Sequence, residues 1–136
     1  MFKISKSSDY GLLLIEYLFD KGDYVSLSEI IEKISLPKRF LARIASKLVS
    51  EQILESKEGK VGGYKLTKKI ESISLFDYLK IFEDFKMTKC ADDDYDCPWE
   101  ENCRHKNFFS KKLSKNLINY LKSEKLLKII KKNKND

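Results

Sequence analysis

A mainly helical fold with one small β-hairpin, a winged helix-turn-helix followed by a cysteine loop and a long C-terminal helix, is what this sequence predicts. Three observations predict it. A serine-capped apolar helix leads through a tight turn into a second helix with a basic outer face. A Gly-Gly pair then separates two short strand-like stretches, and the last segment repeats apolar residues every three or four positions. At 136 residues the chain fits one ordinary domain and is too short for a barrel or doubly wound enzyme of usual size. With 42% hydrophobic and 35% charged residues, a packed core is expected rather than wholesale disorder.

Ser8 is the expected N-cap of a first helix that ends near Asp20. Leu12, Leu13, Leu14, Ile15, Tyr17, Leu18 and Phe19 make that helix apolar on nearly every side, so cover on more than one face is expected. Lys21-Gly22-Asp23 is the loop behind it. Ser26-Leu27-Ser28-Glu29 fits a capping box, in which Ser26 and Glu29 satisfy each other's orphan backbone donors. The helix that follows is expected to bury Ile30, Ile31 and Ile34. Pro37 sits where a first helical turn tolerates a missing donor. The helix it opens, over 37–49, puts Leu41, Ile44, Ala45 and Leu48 on one face. Its other face shows Arg39, Ala42, Arg43, Ser46 and Ser50, with Lys38 and Lys47 alongside. Two short helices joined by a tight turn, the second basic on its outer face, make a helix-turn-helix.

Ile53-Leu54, a charged turn over 55–60 and Gly62-Gly63-Tyr64-Lys65-Leu66 read as a hairpin with the paired glycines at its tip. Directly after a helix-turn-helix this is a wing, carrying Lys57, Lys60 and Lys65. Ser74 is expected to cap a fourth helix with Asp77 at the capping-box position, burying Leu75, Tyr78, Leu79, Ile81 and Phe82. A cysteine loop over 90–105 follows. The last helical pattern spans 107–132, with Phe109, Leu113, Leu117, Tyr120 and Leu121 at helical spacing, and is a natural dimerisation element. The Lys/Asn tail from Lys131 is expected to fray. The chain thus divides into a DNA-binding region over 1–69 and a region over 70–136 that holds the loop and the dimerisation helix.

The formal net charge of +6 is unevenly spread. Residues 37–69 carry +6 and residues 104–136 carry +9, whereas residues 90–103 carry −6. A basic module followed by an acidic patch suggests a polyanionic partner for one part and a separate task for the other. No apolar run approaches the ~20 residues of a membrane span, and the N-terminus lacks a signal peptide's apolar stretch. A cytoplasmic protein with no membrane partner is expected. One histidine, no Gly-rich phosphate loop and no nucleophile elbow give no support to an enzyme or to a small-molecule substrate.

Two groups of residues carry chemistry. In a winged helix one helix enters the major groove, where Arg or Lys can make bidentate contacts to guanine, while other cations hold phosphates. Arg39 and Arg43 are the base-reading candidates, with Lys38 beside them. Ser28, Lys47, Lys57 and Lys60 are candidates for contact with the DNA backbone. A charged helix face alone is ordinarily solvated surface; it is the succession of capping box, turn, basic helix and wing that favours double-stranded DNA. The second group is Cys90, Cys97 and Cys103, inside the acidic patch. An odd number of cysteines in a reducing compartment argues against a disulfide scaffold. With six and five residues between them, and without the close pair usual in zinc knuckles, they favour an iron–sulfur cluster over zinc. With no fourth cysteine, His105 or a carboxylate from elsewhere is the candidate fourth ligand. Trp99 could cover a cluster, though ordinary packing is the expectation.

The series Leu36-Pro37, Phe40-Leu41, Ile44, Leu48, Gly59, Gly62-Gly63-Tyr64, Leu66 and then three cysteines resembles the Rrf2 family of bacterial regulators. The likeness runs from Asp9-Tyr10 to the last helix. It implies a homodimer on a roughly palindromic operator, with a [2Fe-2S] or [4Fe-4S] cluster held by Cys90, Cys97 and Cys103. In NsrR-type members the fourth ligand is an Asp near the start of the first helix, donated by the other subunit, and Asp9 stands in that place. IscR-type members use a His just after the third cysteine, where His105 stands. Asp9 is favoured, since His105 follows Cys103 by only two residues. The sequence departs from the family pattern by a longer first cysteine gap, and by Lys57-Glu58-Gly59 where an Arg usually precedes the glycine. The implied function is a cluster-dependent transcriptional regulator that senses redox state, nitric oxide or cluster status. The alternative is a winged-helix regulator whose loop holds structural zinc or makes a thiol/disulfide switch.

Overall fold

The computed structural model describes residues 3–131. The chain folds as the mainly helical winged helix that the sequence predicts. The first helix, α1 (Lys6–Lys21), starts earlier than expected: Ser5, not Ser8, is its N-cap, with extended backbone and a side chain that accepts from the Ser8 amide. Ser8 is fully buried inside the first turn, where its own hydroxyl donates to Glu83. Gly22 ends the helix in the left-handed conformation that lacks a Cβ penalty. Leu14, Ile15 and Leu18 form the buried side of α1, which packs on α2 (Leu27–Ile34), α3 (Lys38–Ser50) and the wing.

Ser26 caps α2 as expected by accepting from the Glu29 amide. The reciprocal half of that capping box does not form, because the Glu29 carboxylate accepts instead from the Tyr17 hydroxyl at 2.6 Å. Pro37 is the cap of α3 rather than a residue of its first turn, and Leu41, Ile44, Ala45 and Leu48 are buried beneath the helix.

The wing pairs β1 (Leu54–Lys57) antiparallel with β2 (Gly63–Leu66), Leu54 opposite Leu66 and Lys57 opposite Gly63. Val25 adds a third, single-residue rung, exchanging two 2.9 Å hydrogen bonds with Tyr64. The glycine pair closes the hairpin connection: Gly62 is its last residue and Gly63, opposite Lys57, the first of β2, while the apex runs through Gly59 and Lys60. Close approach explains this placement. A Cβ on Gly62 would overlap the Lys57 carbonyl, and one on Gly63 would overlap the Val25 carbonyl.

A short 3₁₀ turn (Lys68–Glu71) leads to α4 (Leu75–Leu79), where the Ser74–Asp77 capping box forms in both directions. After an irregular stretch that contains the cysteines, α5 begins as a π-helical segment (Phe108–Leu113) and continues as an α-helix (Ser114–Ser123). The single long helix expected over 107–132 is broken at Glu124 and Lys125. There the backbone is extended and pairs with the start of α4: Leu75 N–H donates to the Glu124 carbonyl at 2.7 Å, and Leu126 N–H to the Ile73 carbonyl at 3.1 Å. The break turns α6 (Leu126–Ile130) back onto the 3₁₀ turn and α1, burying Leu126 and Ile130. The Lys/Asn tail beyond Lys131 lies outside the described residues. No helix among the described residues is long and apolar enough to cross a membrane.

Candidate nucleic-acid interface and cysteine loop

The α3 face opposite Leu41, Ile44 and Leu48 carries Arg39, Arg43 and Lys47 at four-residue intervals, all exposed, with exposed Lys38 beside Arg39. Two cations and no acidic residue in a first turn oppose the helix dipole, which favours negative charge there. That costs stability within the chain and suits an external anion. Ser28 is exposed in the first turn of α2, and Lys57 and Lys60 are exposed on the wing. Among the described residues, none of these six lysines and arginines takes part in an ion pair. The charges therefore stand ready for phosphate or base edges, with no internal counter-ion to displace.

One residue that sequence reasoning passed over organises the wing. The Tyr24 ring, next to the Val25 rung, lies beneath both Lys57 and Lys65, each ammonium 5.6 Å from its centroid. Cation–π contact of this kind restrains two long side chains at little desolvation cost. Nothing local in the sequence marks Tyr24, because the lysines come from strands more than thirty positions away.

The cysteines stay apart from that surface. Cys90, Cys97 and Cys103 are free thiols, each half-buried, and Cys90 Sγ donates to the Thr88 hydroxyl at 3.1 Å. The loop is tied by two lysines, Lys86 to Asp92 at 2.6 Å and Lys106 to Glu100 at 2.5 Å. The Glu100 carboxylate holds the Lys106 ammonium above the ordinary lysine value, with Cys90 and Cys97 acting in the same direction. Thiolates are the donors a soft metal needs, and three cysteines can supply them. The donor types therefore fit a thiolate-held group. Their positions within one chain do not assemble it: no three His, Cys, Asp or Glu side chains among the described residues gather closely enough to hold a metal ion. Asp9 is exposed in the first turn of α1, and His105 is exposed at the entry to α5, its ring edge-on to Phe109. Trp99, expected to pack, is 70% exposed instead, because the acidic residues around it offer no apolar surface to cover.

The sequence marks Tyr78 and Phe82 for burial but not the contacts they and Glu83 make. The Tyr78 hydroxyl, fully buried, donates to the Ser8 carbonyl at 2.5 Å. Glu83 Oε1 accepts from the Ser5 amide at 2.6 Å and from the Ser8 hydroxyl at 2.7 Å. Phe82 carries the Lys47 ammonium 5.6 Å from its ring centroid. Burial, then the charges of Asp9, Glu83 and Glu16, push the Tyr78 hydroxyl far above its usual range and keep it a donor. These partners lie 35 to 78 positions apart in the chain, so no spacing could have revealed them.

Comparison with known proteins agrees with this geometry. The family profile described as Rrf2, iron-dependent transcriptional regulator, matches residues 4–132. A protein named aau3 from Rhizobium meliloti is 29% identical over 104 residues, covering 74% of this chain and 68% of that one. Among solved structures, CymR (YrzC), the global cysteine regulator of B. subtilis, superposes with a TM-score of 0.70 at 22% identity, covering 96% of this chain and 97% of that one. IscR of T. potens superposes with a TM-score of 0.62 at 22% identity, covering 95% and 86%. At these identities the two structures show a shared fold.

Proposed function

The chain belongs to the Rrf2 family of DNA-binding transcriptional regulators, and on that premise we propose that it binds a roughly palindromic operator as a homodimer under the control of an iron–sulfur cluster. The observation that carries the DNA reading is the set of exposed cations on α3 and the wing, none in an ion pair among the described residues. Arg39 and Arg43, with Lys38 beside them, read base edges; Ser28, Lys47, Lys57 and Lys60 hold the phosphate backbone. The exposed aromatic residues Phe108, Phe109 and Tyr120 on α5 support dimerisation through that helix.

In this reading Cys90, Cys97 and Cys103 hold the cluster, and Asp9 of the other subunit completes the set, with His105 as the alternative. When bound, the cluster supplies a group that responds to oxygen, nitric oxide or electron transfer. Residues 90–105 reorder with its state, α5 shifts with them, and the spacing of the two α3 helices changes operator affinity. The linkage is reciprocal: DNA stabilises whichever loop state fits the bound dimer better.

Anaerobic purification with a visible spectrum and iron and sulfide analysis, run beside DNA binding with and without nitric oxide and oxygen, tests the proposal. A coloured protein whose DNA affinity follows the spectrum is the expected result. A protein that stays colourless after reconstitution removes the cluster. It would favour the second reading, structural zinc or a thiol/disulfide switch, for which three free, half-buried thiols are the supporting observation.

A further inference from the structure

Several elements meet at one short turn. Ile81, Phe82 and Glu83 leave the end of α4 and run towards Cys90. On one side Glu83 Oε1 takes two hydrogen bonds from the first turn of α1, and Tyr78 anchors the same turn through the Ser8 carbonyl. On another side Phe82 stacks edge-on against Tyr78 and holds the end of α3 through Lys47. A little further on, Phe85 rests on Phe76, and its carbonyl accepts from the Ser114 hydroxyl of α5. Residues 83–87 then line a cleft of about 290 Å³ against Lys3, Ile4, Leu117 and Leu121, which leaves this stretch room to move.

We propose that the Phe82–Glu83 turn is the element that transmits the state of the cysteine loop to the DNA-binding face, with Glu83 as the positioning residue. The proposal rests on the loop-gated reading above and goes beyond it by assigning the path. Transmission needs an element that both sites bias and that has more than one arrangement. Here the Lys86–Asp92 ion pair at 2.6 Å ties the cysteine loop to the stretch that follows Glu83, so a rearranged loop pulls on the turn. The turn in turn grips α1 by a charged hydrogen-bond acceptor and α3 by an aromatic ring, contacts that a displacement of about an ångström would break. Releasing Glu83 frees the first turn of α1, which carries Asp9. Releasing Phe82 frees the C-terminal end of α3, which carries Lys47.

The test uses the full chain with its thiols either reduced or blocked by N-ethylmaleimide, and a DNA duplex selected from a random pool by the reduced wild-type protein. Wild-type affinity should differ by about fivefold or more between the two thiol states. Glu83→Ala should bind the duplex in the reduced state within about twofold of wild type while its two thiol states become equal, a loss of coupling without loss of binding. Glu83→Gln, whose amide oxygen can still accept from Ser5 and Ser8, should recover part of the difference. Hydrogen exchange in the first turn of α1 should change on blocking in wild type and not in Glu83→Ala. If Glu83→Ala fails to fold, Ser8→Ala removes one of the same two hydrogen bonds and replaces it in the comparison. A Glu83→Ala or Ser8→Ala protein that keeps the full wild-type difference overturns the assigned path and leaves the loop-gated reading standing. A wild-type protein with equal affinities and equal exchange in both states leaves the turn nothing to transmit and overturns the proposal, while the cluster reading stands or falls on its own spectrum and DNA titration.

Discussion

The Tyr78 hydroxyl fills the space that a side chain at Gly11 would need, and from there it donates to the Ser8 carbonyl at 2.5 Å. A Cβ built on Gly11 overlaps that hydroxyl, while its next neighbours, on Phe82 and Tyr78, are at ordinary contact distance of 3.4 Å. In mid-helix, alanine is otherwise the better residue by about 1 kcal/mol. Gly11→Ala should therefore destabilise the protein by about 1–3 kcal/mol through overpacking. Tyr78→Phe should cost about 1 kcal/mol for the lost hydrogen bond. The double variant should be no less stable than Tyr78→Phe alone, since removal of the hydroxyl opens the room the methyl needs. Urea unfolding of the four proteins checks this. Additive losses would show that the hydroxyl is not what excludes a side chain at position 11.

Exposed cations without ion pairs make the DNA predictions separable from stability. Arg43→Ala removes a side chain that touches no acidic partner, so unfolding should be unchanged within about 0.5 kcal/mol. Operator affinity should fall by about 1–3 kcal/mol, with discrimination relaxed at the base it reads. Lys60→Ala, at the wing tip, should weaken specific and non-specific duplexes alike and lower the salt slope of binding by about 1. Titrations at several salt concentrations distinguish the two patterns. Equal slopes for Lys60→Ala and wild type would take Lys60 off the phosphate backbone.

The pH dependence of stability should carry the mark of Glu83. Burial alone would raise its pKa, but hydrogen bonds from the Ser8 hydroxyl and the Ser5 amide outweigh that and hold the carboxyl below the ordinary glutamate value. A pKa depressed on folding contributes stability that is fully present above the unfolded-state value and lost as pH falls through the folded one. The stability gap between wild type and Glu83→Gln should thus be constant near neutrality and narrow as pH drops from about 5 towards about 3. Urea midpoints across that range measure it. A gap that widens on acidification would reverse the assigned direction.

The helix-turn-helix is legible in the sequence because its signals are local: Ser26 three residues before Glu29, Pro37 ahead of an apolar face, cations four apart. The features that sequence misplaces are each decided by a distant partner. Ser5 displaces Ser8 as N-cap because Glu83 claims the Ser8 hydroxyl. The last helix breaks at Lys125 because Ser74, fifty-one positions earlier, pairs with it there, although the apolar spacing on either side is helical. Gly62 and Gly63 stand at the end of the hairpin connection, past its apex, where the Lys57 and Val25 carbonyls leave no room for a Cβ. The same limit explains the site. The cationic residues of α3 and the wing can be read one by one, whereas the contacts of Tyr24 with the wing lysines, of Phe82 with Lys47 and of Glu83 with α1 carry no signal in their own neighbourhood.

Asp9 and His105 lead to different outcomes for the proposed cluster, and two variants separate them. His105 lies on the same chain as the three thiols, two residues past Cys103, yet its exposed ring faces Phe109, and it joins no three-donor group among the described residues. Asp9 projects from the first turn of α1, exposed and with no hydrogen bond or ion pair to its side chain among the described residues, as a donor aimed at another subunit should be. Reconstituted Asp9→Ala should lose or shift the visible absorption of the cluster, whereas His105→Ala should keep the wild-type spectrum. Because Asp9 acts across the dimer, mixing Asp9→Ala with Cys97→Ser chains should restore one of the two sites in each mixed dimer, the one pairing an intact Asp9 with three intact cysteines. Iron content per dimer, measured on mixed and unmixed samples, reads this directly. A His105→Ala protein that cannot hold iron while Asp9→Ala can would assign the fourth position to His105 and to a site built within one chain.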